Sequence, residues 1–365
     1  MYKRLKFQMI CNQLNLQGVY IPIFQKIVIT PAGGYSIKIK MRTGMTPTKF
    51  TKKAEAIAVG LKAAEVNLER IKGSTFKVSV RKNSVSVLPE YSFSEVEAIV
   101  PKDLGIIPIG VNSDGYQVNL PLFNNSGGTV TLIGGNPGQG KSSALKIILA
   151  GCLVSNASVI WFDPKSGIDA NPFFGRVEVV SNPQVPELFL NYLERILELI
   201  LRRNKIHNRN DLLYLPKIVL FIDEWGLLSA LGSKGLQSEI KSAIRNIAAT
   251  GRSANVSLVL ATQRPTSTNI DVATRELSGN RIAFQVGDSH GSEAVLGQPG
   301  AENKVEPLMP GQALVWVEGK LQRTTFYKVP ESLIKMCDEY VGYKKTLAEV
   351  EELEKIFFRE KNYEM

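Results

Sequence analysis

The chain is organised around residues 130–153, which read VTLIGGNPGQGKSSALKIILAGCL. A short apolar run is followed by a glycine-rich turn and then by apolar residues at helical spacing. Within the turn, residues 135–142 fit the pattern G-x-x-x-x-G-K-[ST] at every specified position. The stretch therefore predicts a strand, a phosphate-binding loop (P-loop) and a helix, in that order.

The composition of this loop suits a phosphate chain. Backbone N–H groups can wrap a phosphate only where side chains do not block a tightly curved backbone, and the loop's three glycines remove that obstacle. We expect Lys141 to lie against the β- and γ-phosphates of ATP and the Ser142 hydroxyl to ligate Mg²⁺, with the positive end of the new helix facing the anion. The predicted nucleotide-binding residues are Gly135, Asn136, Pro137, Gly138, Gln139, Gly140, Lys141, Ser142 and Ser143.

A second motif, KIVLFIDE at residues 217–224, is an apolar strand that ends in two carboxylates. Its composition fits a Walker B strand, which would carry Asp223 rigidly to the Mg²⁺ ion. Glu224, one residue further on, would polarise the attacking water. The alternatives are a glycine-rich turn that matches the P-loop pattern by chance and a strand that merely ends in an acidic turn. The presence of each motif makes a chance match of the other less probable.

Strands and helices alternate from Thr129 onward, which predicts an α/β fold with a parallel sheet covered on both faces. The predicted strands are TVTLI (129–133), SVIWFD (158–163), KIVLFID (217–223), VSLVLAT (256–262), RIAFQV (281–286) and ALVWV (313–317). The fourth strand runs into ATQRP at residues 261–265. Gln263 would therefore lie beside the γ-phosphate at the carboxyl end of a strand, where open α/β sheets bind ligands.

Bulk properties limit the class of protein. A length of 365 residues predicts about two domains, and 44% hydrophobic residues is enough for a sizeable core. We expect a chain that neither spans a membrane nor is secreted, because it has no apolar run of about 18 residues and no signal-peptide start. Cys11, Cys152 and Cys337 are far apart and lack nearby histidine clusters, which argues against a disulfide framework and a zinc site. The reduced cytoplasm is the expected location.

The basic charge of the chain is concentrated at its N-terminal end. Residues 1–89 hold 16 Lys or Arg and 3 Asp or Glu, a net charge of +13, whereas the other 276 residues carry a net −3. Nucleic acid or an anionic membrane surface would be attracted to such a region. A lysine-rich soluble domain with a solvated face is the alternative.

The N-terminal region has the pattern of a small α+β domain, over residues 1–92. Alternating residues predict strands at 20–30 and 35–41 around a turn at 31–34, as in a β-hairpin. Thr46 and Pro47 predict the start of a helix that continues to Leu61. A second hairpin is predicted within residues 76–89, with its turn at 81–84.

The remaining boundaries follow from the motifs. Residues 93–128 are interpreted as a linker with a hairpin that turns at Asp114 and Gly115, residues 129–330 as the motor and residues 331–365 as C-terminal helices. An amphipathic helix is predicted at 186–203, and the last helix, at 346–361, has mixed charge that suggests packing on a partner. The basic end of the first of these helices is interpreted as a solvated cap, with a DNA contact as the alternative, and comprises Arg202, Arg203, Lys205 and Arg209.

Over about residues 107–327 the sequence resembles the FtsK/SpoIIIE DNA translocases, of the RecA-like FtsK–HerA group of motors. The resemblance rests on the blocks IPIGVNSDGYQVNL, GGNPGQGKSS, FDPKSG at residue 162, VVSNP at residue 179, LFIDEWGLL, GRSANVSLVLATQRP, NRIAFQVGDSHGSEAVLG, PGAE and PGQALVW. The ATQRP and RIAF blocks, at their spacing from the Walker B strand, are more specific than the P-loop. The resemblance implies a RecA-like P-loop NTPase with a mostly parallel sheet, which hydrolyses ATP with Mg²⁺.

The resemblance also implies roles for single residues and an assembly. In this family the glutamine of the ATQRP block senses the γ-phosphate, which corresponds to Gln263. The family forms ring-shaped homohexamers that drive double-stranded DNA through a central pore, and arginines from the neighbouring subunit complete each site. Arg252 and Arg281 occupy the matching blocks; pairing with a carboxylate of their own subunit is the alternative for each.

The chain also departs from the large members of the family. Their N-terminal transmembrane helices and C-terminal winged-helix module are expected to be missing here. The basic module before the motor is similar to the corresponding region of small FtsK-like transfer proteins of conjugative plasmids and integrative elements. A membrane-bound or relaxase partner, and recruitment to the membrane by that partner, would follow.

The leading interpretation is an ATP-driven DNA translocase that serves plasmid or mobile-element transfer. A type VII-like protein-secretion motor is the first alternative, although such ATPases usually carry several related domains in tandem after a membrane anchor. A stand-alone P-loop kinase or metabolic NTPase is the second alternative. Such an enzyme would need neither the ATQRP block nor the basic module. DNA-stimulated ATP hydrolysis would separate the three.

Overall fold

The computed structural model describes residues 2–22, 26–31, 33–81, 105–124, 127–167, 175–328, 345–361 and 363. The chain divides into two compact units. Unit 1 comprises Met1–Val87 and Val111–Gln117, and unit 2 comprises Leu88–Gly110 and Val118–Met365. The predicted boundary at residue 92 lies outside the described residues, so the predicted domain limits stay predictions.

Unit 1 contains a five-stranded antiparallel sheet. Its strands are β1 (Val19–Tyr20), β2 (Val28–Ile29), β3 (Tyr35–Met41), β4 (Glu65–Lys72) and β5 (Thr75–Arg81). The first predicted hairpin is confirmed, because Val28 pairs with Ser36 across the turn. The prediction of one strand over 20–30 is wrong, since of the residues described there only those of the short β1 and β2 pair with β3, and 21–22 and 26–27 are in no strand. Pro22 has no N–H to donate to a ladder between them.

Within the described part of unit 1, three helices accompany this sheet: α1 (Tyr2–Gln13), α2 (Pro47–Thr51) and α3 (Ala54–Leu61). The predicted helix start is confirmed, because the Thr46 side chain accepts a hydrogen bond from the Lys49 N–H and Pro47 is the first helical residue. The helix is divided at residues 52–53 rather than continuous to Leu61. Helix α1 was not predicted; with α3 it packs buried apolar residues such as Phe7 and Ile57 into the core of unit 1.

Strand β5 was predicted, but the hairpin that the structure describes joins it to β4 before it in the chain. Gly73, with φ of +54°, lies in the connecting turn. Strand β4 was missed because a register shift between Arg70 and Lys72 breaks the alternation of apolar and polar residues. Arg81 is paired with Glu65 in the ladder, and the rest of the predicted turn and the strand after it lie outside the described residues.

Unit 2 is built on a ten-stranded sheet. Its strands are β6 (Ile106–Asn112), β7 (Gln117–Pro121), β10 (Val130–Gly134), β11 (Ser158–Phe162), β12 (Glu178–Val180), β13 (Ile218–Ile222), β14 (Val256–Thr262), β15 (Asn280–Phe284), β16 (Gln312–Val317) and β17 (Lys320–Phe326). Their order across the sheet is β12-β11-β13-β14-β10-β15-β16-β17-β6-β7. A separate short pair is formed by β8 (Phe123–Asn124) and β9 (Gly127–Gly128). All six predicted strands are present, and β10 to β15 are parallel to their neighbours in that group.

The parallel strands are buried on both faces, as predicted. Successive residues such as Leu132 and Ile133 enter two different apolar clusters, one on each side of the sheet. The helices are α4 (Lys141–Val154), α5 (Glu187–Asn204), α6 (Trp225–Leu228), α7 (Lys234–Thr250), α8 (Val272–Leu277), α9 (Ser289–Leu296) and α10 (Leu347–Glu360), with 3-10 turns at Arg209–Tyr214 and Gly251–Ala254. The α/β fold with a mixed, mostly parallel sheet is therefore confirmed.

The hairpin predicted at 107–123 is also confirmed. Gly115 has φ of +81°, and the Asn112 side chain accepts hydrogen bonds from the N–H groups of Asp114 and Tyr116. Its strands, β6 and β7, continue the ten-stranded sheet beyond β17 rather than forming only a connection. Strand pairing of this kind cannot be read from a local pattern, because the partner is distant in sequence.

The basic end of helix α5 differs from the prediction. The Arg203 side chain is fully buried: its Nη1 donates to the Ala254 carbonyl at 2.8 Å and its Nη2 to the Pro216 carbonyl at 2.9 Å. Its Nε lies 2.5 Å from Glu354 Oε1. The interpretation as a solvated cap is therefore wrong for Arg203, and so is that of a DNA contact, because the guanidinium is fully used inside the unit.

Helix α10, expected to pack on a partner, packs on its own chain. Leu347 and Val350 enter the apolar cluster that α5 also lines. Glu351 accepts two hydrogen bonds from Arg195, at 3.0 and 2.8 Å. The mixed charge that suggested an external partner is matched instead by the arginines of α5. The helix predicted before it falls within residues 329–344, outside the described part of the chain.

The described cysteines have no role in a disulfide. Cys11 in unit 1 and Cys152 in unit 2 are both buried free thiols. Burial raises the pKa of the Cys11 thiol to about 12 and raises that of Cys152 as well. Both thiols are therefore protonated and unreactive at neutral pH.

Candidate nucleotide-binding site

The predicted motifs meet at the carboxyl edge of the parallel strands. Strand β10 leads directly into the P-loop, β13 into Asp223 and β14 into Gln263. Strand β14 lies between β10 and β13 in the sheet, so the P-loop and the Walker B residues flank the end of β14. The carboxyl ends of parallel strands share one edge, which is why residues distant in sequence come together there.

The loop has the backbone shape that its glycines allow. Gly138 and Gly140 have φ of +78° and +112°, values that residues with a Cβ rarely adopt. Gly135 passes so close to strand β15 that a Cβ would lie 2.5 Å from the Cβ of Phe284. Main-chain hydrogen bonds from Asn136 N–H to the Gln285 carbonyl (2.9 Å) and from Gly311 N–H to the Gln139 carbonyl (2.8 Å) fix the loop at both sides.

Lys141 links the P-loop to the Walker B strand. Its side chain is buried, with Nζ 3.2 Å from the main-chain oxygen of Asp223 and 3.4 Å from Glu224 Oε2. The ammonium group therefore lies among the acceptors of β13, directly beside the loop in which a phosphate would be held. The structure thus brings three of the predicted catalytic residues into one site.

Glu224 is held by the end of strand β14. The Thr262 hydroxyl donates to Glu224 Oε1 at 2.8 Å, and the Gln263 N–H lies 3.1 and 3.0 Å from the two carboxylate oxygens. Thr262 is fully buried. Sequence reasoning missed Thr262, although it stands one position before the predicted sensor Gln263, whose own side chain is half-buried. The carboxylate of Glu224 is therefore oriented by the strand that carries the sensor.

Asp223 has a cationic neighbour that the sequence did not predict. Lys165, three residues after the end of β11, places Nζ 3.1 Å from Asp223 Oδ2, and the Asp223 side chain is only 2% exposed. The main-chain N–H of Lys165 donates to Asp163 Oδ1 at 2.9 Å. Both residues belong to the FDPKSG block. This block is part of the resemblance described above, but no chemical role was predicted for its residues.

The residues present fit ATP and Mg²⁺. A Cβ at Gly138 would meet nothing within 4 Å, and Ser142 and Ser143 are exposed at the first turn of α4. Across the described ranges, no group of three or more His, Cys, Asp or Glu residues is arranged to hold a metal ion by itself. Mg²⁺ bound through one carboxylate, one hydroxyl, phosphate oxygens and waters needs no such group.

The two predicted trans-acting arginines are not at this site. Arg252 is exposed in the 3-10 turn before β14, at the amino end of the strand and therefore at the opposite edge of the sheet. Arg281, in β15, donates to the carbonyls of Ser278 at 3.1 Å and Leu296 at 3.0 Å, and burial lowers the pKa of its guanidinium. Arg281 is thus held within its own subunit by carbonyl groups rather than by a carboxylate.

A glycine-rich loop between a buried strand and a helix, a lysine that meets the acidic end of a second strand, and a mostly parallel sheet define a RecA-like P-loop NTPase fold. Comparison with known proteins shows which P-loop NTPases this chain is similar to. The chain is 28% identical over 296 residues to a protein named DNA translocase FtsK from Lactococcus lactis subsp. cremoris, and 28% identical over 330 residues to one of the same name from Staphylococcus aureus. These alignments cover 73% and 81% of the chain.

The same alignments cover only 38% and 40% of the two relatives, so the chain spans about two fifths of their length. No profile of a known protein family matches the chain.

Solved structures give the same fold. The pCW3 conjugation coupling protein TcpA, in its monomer form with ATPγS, superimposes with a TM-score of 0.62 at 17% identity, over 94% of this chain and 100% of that one. The cytoplasmic domain of the type VII secretion ATPase EccC from Thermomonospora curvata gives a TM-score of 0.56 at 19% identity, over 70% of this chain and 33% of that one. In sequence the chain is thus similar to the FtsK DNA translocases, and in fold it is similar to both of these solved ATPases.

Proposed function

We propose that this chain is an ATP-hydrolysing DNA translocase of FtsK/SpoIIIE type that acts in plasmid or mobile-element DNA transfer. The observation that carries the proposal is the contact of Lys141 with Asp223 and Glu224 at the edge of a sheet whose sequence aligns with the DNA translocases. This contact joins a phosphate-binding loop to the proposed metal ligand and the proposed base, both of which nucleotide hydrolysis needs.

In this function the loop N–H groups within residues 135–143, other than Pro137, bind the phosphates, and Lys141 supplies a positive charge to the β- and γ-phosphates. Ser142 and Asp223 would hold Mg²⁺, which neutralises phosphate charge when it is bound. Glu224 would accept the proton of the attacking water, and Gln263 would report the γ-phosphate to β14. The Gln263 N–H also donates to the Glu224 carboxylate, so the proposed sensor and the proposed base are in direct contact.

Movement along DNA is tested with a duplex that carries a triplex-forming third strand. We expect the full chain to displace the third strand only when ATP and Mg²⁺ are present. The Glu224→Gln variant should bind ATP and leave the triplex intact, because it lacks the base. Displacement that is equally fast without ATP, or none at all by a chain that hydrolyses ATP, would contradict translocation.

The likeness to EccC favours a second candidate, a motor that moves protein in a type VII-like secretion system. The basic N-terminal region argues for DNA, because polyanions bind such a region whereas a secreted polypeptide has no general need of it. A stand-alone NTPase or kinase is a third candidate. Stimulation of ATP hydrolysis by duplex DNA supports the first candidate and contradicts the other two.

The proposal includes a homo-oligomer, by resemblance a hexameric ring, in which an arginine of one subunit completes the site of the next. Arg252 suits this role better than Arg281, because its side chain is exposed whereas the Arg281 guanidinium already donates to two carbonyls. Such an arginine can contribute on the order of 10³–10⁵ in rate.

Mixing two inactive variants tests the shared site. Arg252→Ala and Lys141→Ala subunits should each be inactive alone and should recover partial ATPase activity together, because some interfaces then contain an intact loop and an intact arginine. The Arg281→Ala subunit is the comparison and should retain ATPase activity alone, because the Arg281 guanidinium donates to carbonyls of its own subunit. If Arg252→Ala and Lys141→Ala co-assemble without recovery, Arg252 does not act in the neighbouring site.

Transfer of DNA between cells takes place at a membrane, so the proposal includes a membrane-bound or relaxase partner for a chain that works on the cytoplasmic side. Among the described helices, none combines the length and apolar character that crossing a bilayer requires. Pull-down of the full chain with inner-membrane vesicles from cells with and without the mobile element would detect recruitment.

A further inference from the structure

Lys165 is a charged side chain at the candidate site that the proposed function leaves without a role. It comes from the turn after β11, crosses to the end of the neighbouring strand β13 and places its ammonium 3.1 Å from Asp223 Oδ2. The proposed function gives the carboxylate of Asp223 to Mg²⁺. The Lys165 ammonium and Mg²⁺ would therefore compete for the same carboxylate.

The contact has a physical reason. Asp223 and Glu224 are both buried, and a buried carboxylate without a cation is costly, since burial removes its hydration. Lys165 lies on Asp223, and Lys141 lies 3.4 Å from Glu224, so a lysine lies beside each of these two carboxylates. The two contacts offset part of the negative charge of the site, which also includes the buried Asp163, without any ligand.

The two sides of the Lys165–Asp223 pair differ in their freedom. Asp223 is attached to the end of a buried strand and is 2% exposed, whereas the Lys165 side chain is 25% exposed and extends from a turn. The turn is tight, with Ser166 and Gly167 at φ of +65° and +82°. A lysine has a long flexible side chain with a strongly hydrated head, so its ammonium can move to water while Asp223 stays in place.

We propose that Lys165 is a placeholder for the divalent cation: it occupies Asp223 when the site holds no metal and yields the carboxylate to Mg²⁺ when nucleotide binds. The inference rests on the proposed function only in that the site binds Mg²⁺ and a nucleoside triphosphate. Lys165 is then a positioning residue that sets how strongly nucleotide binding depends on the metal. Metal entry also ends the contact between the Lys165 side chain and the end of β13.

The test is the affinity for a fluorescent ATPγS analogue, measured with the full chain in excess Mg²⁺ and in EDTA. The ratio of the Kd in EDTA to the Kd in Mg²⁺ expresses the metal dependence without any turnover. Removal of a charged hydrogen-bond competitor should raise this ratio about tenfold in Lys165→Ala and Lys165→Gln. Lys355→Ala removes a lysine that lies 3.2 Å from a carboxylate at an exposed site and should leave the ratio unchanged.

Each other outcome has a definite meaning. An unchanged ratio in both folded Lys165 variants overturns the placeholder role and leaves the proposed function intact. A loss of metal-free affinity for the ATPγS analogue, but not for ADP, also overturns it, because Lys165 would then be a γ-phosphate ligand. If the wild-type chain binds nucleotide in neither condition, the proposed function fails together with this inference. The glutamine variant keeps a polar side chain on Asp223, so a folded protein is expected even where the alanine variant is unstable.

Discussion

At the scale of single residues, Lys141 is the side chain that joins the two nucleotide motifs. We predict that Lys141→Ala abolishes ATP hydrolysis and weakens nucleotide binding, because it removes the positive charge next to the phosphates. Lys146→Ala, which removes a half-buried lysine from the same helix, is the matched control and should retain activity. Measurement of the ATPase rate and of the nucleotide Kd checks both effects, and an active Lys141→Ala enzyme would contradict the P-loop assignment.

Glu224→Gln should behave differently from Lys141→Ala. The amide keeps the shape of the side chain and an oxygen that can accept from the Thr262 hydroxyl, and Asp223 is left intact, but the base is lost. ATP should therefore bind and remain uncleaved, which single-turnover kinetics with radiolabelled ATP would detect. Near-normal turnover would rule out Glu224 as the base.

The sequence was informative at this scale where a motif is local. The P-loop and the acidic end of β13 each occupy one short stretch, so Lys141, Asp223 and Glu224 could be named before their proximity was known. Thr262 and Lys165 could not, because their partners are 38 and 58 positions away in the chain. The roles of Arg252 and Arg281 came from resemblance alone, and the structure holds the second of them inside its own subunit.

At the scale of elements, apolar runs predicted six of the eight described motor strands, and the five parallel ones among them are continuously apolar because they are buried on both faces. The short β12 and the irregular β4 carry no such signal. Helix α5 was predicted from its clear periodicity, but the burial of Arg203 could not be predicted, because it depends on Glu354, 151 positions later. A basic residue at a helix end is usually solvated, and only the docked α10 reveals that this one is not.

This buried pair gives an element-scale prediction. Arg203→Met or Glu354→Leu alone should lower the free energy of unfolding by about 3–5 kcal/mol, because in each variant a buried charge loses its partner at 2.5 Å. The double variant should recover most of that loss, since two apolar side chains can replace a buried ion pair. Equilibrium denaturation with urea provides the measurement.

The control for the buried pair is the exposed ion pair Arg245–Asp271, with an N–O distance of 2.7 Å and side chains 50% and 43% exposed. Arg245→Met should change the free energy of unfolding by about 1 kcal/mol or less, because exposed pairs contribute little. If the double variant of Arg203 and Glu354 were no more stable than the worse single variant, the pair would be needed for more than charge balance.

At the scale of the whole molecule, the uneven charge predicts where DNA is bound. Three basic residues are exposed on strand β3 of unit 1 or directly after it: Lys38, Lys40 and Arg42. Replacing all three by Gln in the full chain should weaken binding to duplex DNA. Each lost phosphate contact should flatten the slope of log K against log salt by about 0.9. Fluorescence anisotropy from low to moderate salt measures this slope.

An equal loss of charge from unit 2 is the control for that experiment. Lys234, Lys320 and Lys355 are also exposed, and their replacement by Gln should leave the slope nearly unchanged. If both triple variants flatten the slope equally, the N-terminal lysines have no special part in DNA binding. An unchanged slope in both would assign them to solubility or to another partner.

The central claim is that ATP hydrolysis by this chain is coupled to duplex DNA. The most direct test is the steady-state ATPase rate of the full chain with saturating ATP and Mg²⁺, measured with duplex DNA, with single-stranded DNA and without DNA. We predict that duplex DNA raises the rate several-fold over the rate without DNA, and that Lys141→Ala shows no activity in any condition. A wild-type rate that is the same in all three conditions would contradict the assignment of this chain as a DNA translocase.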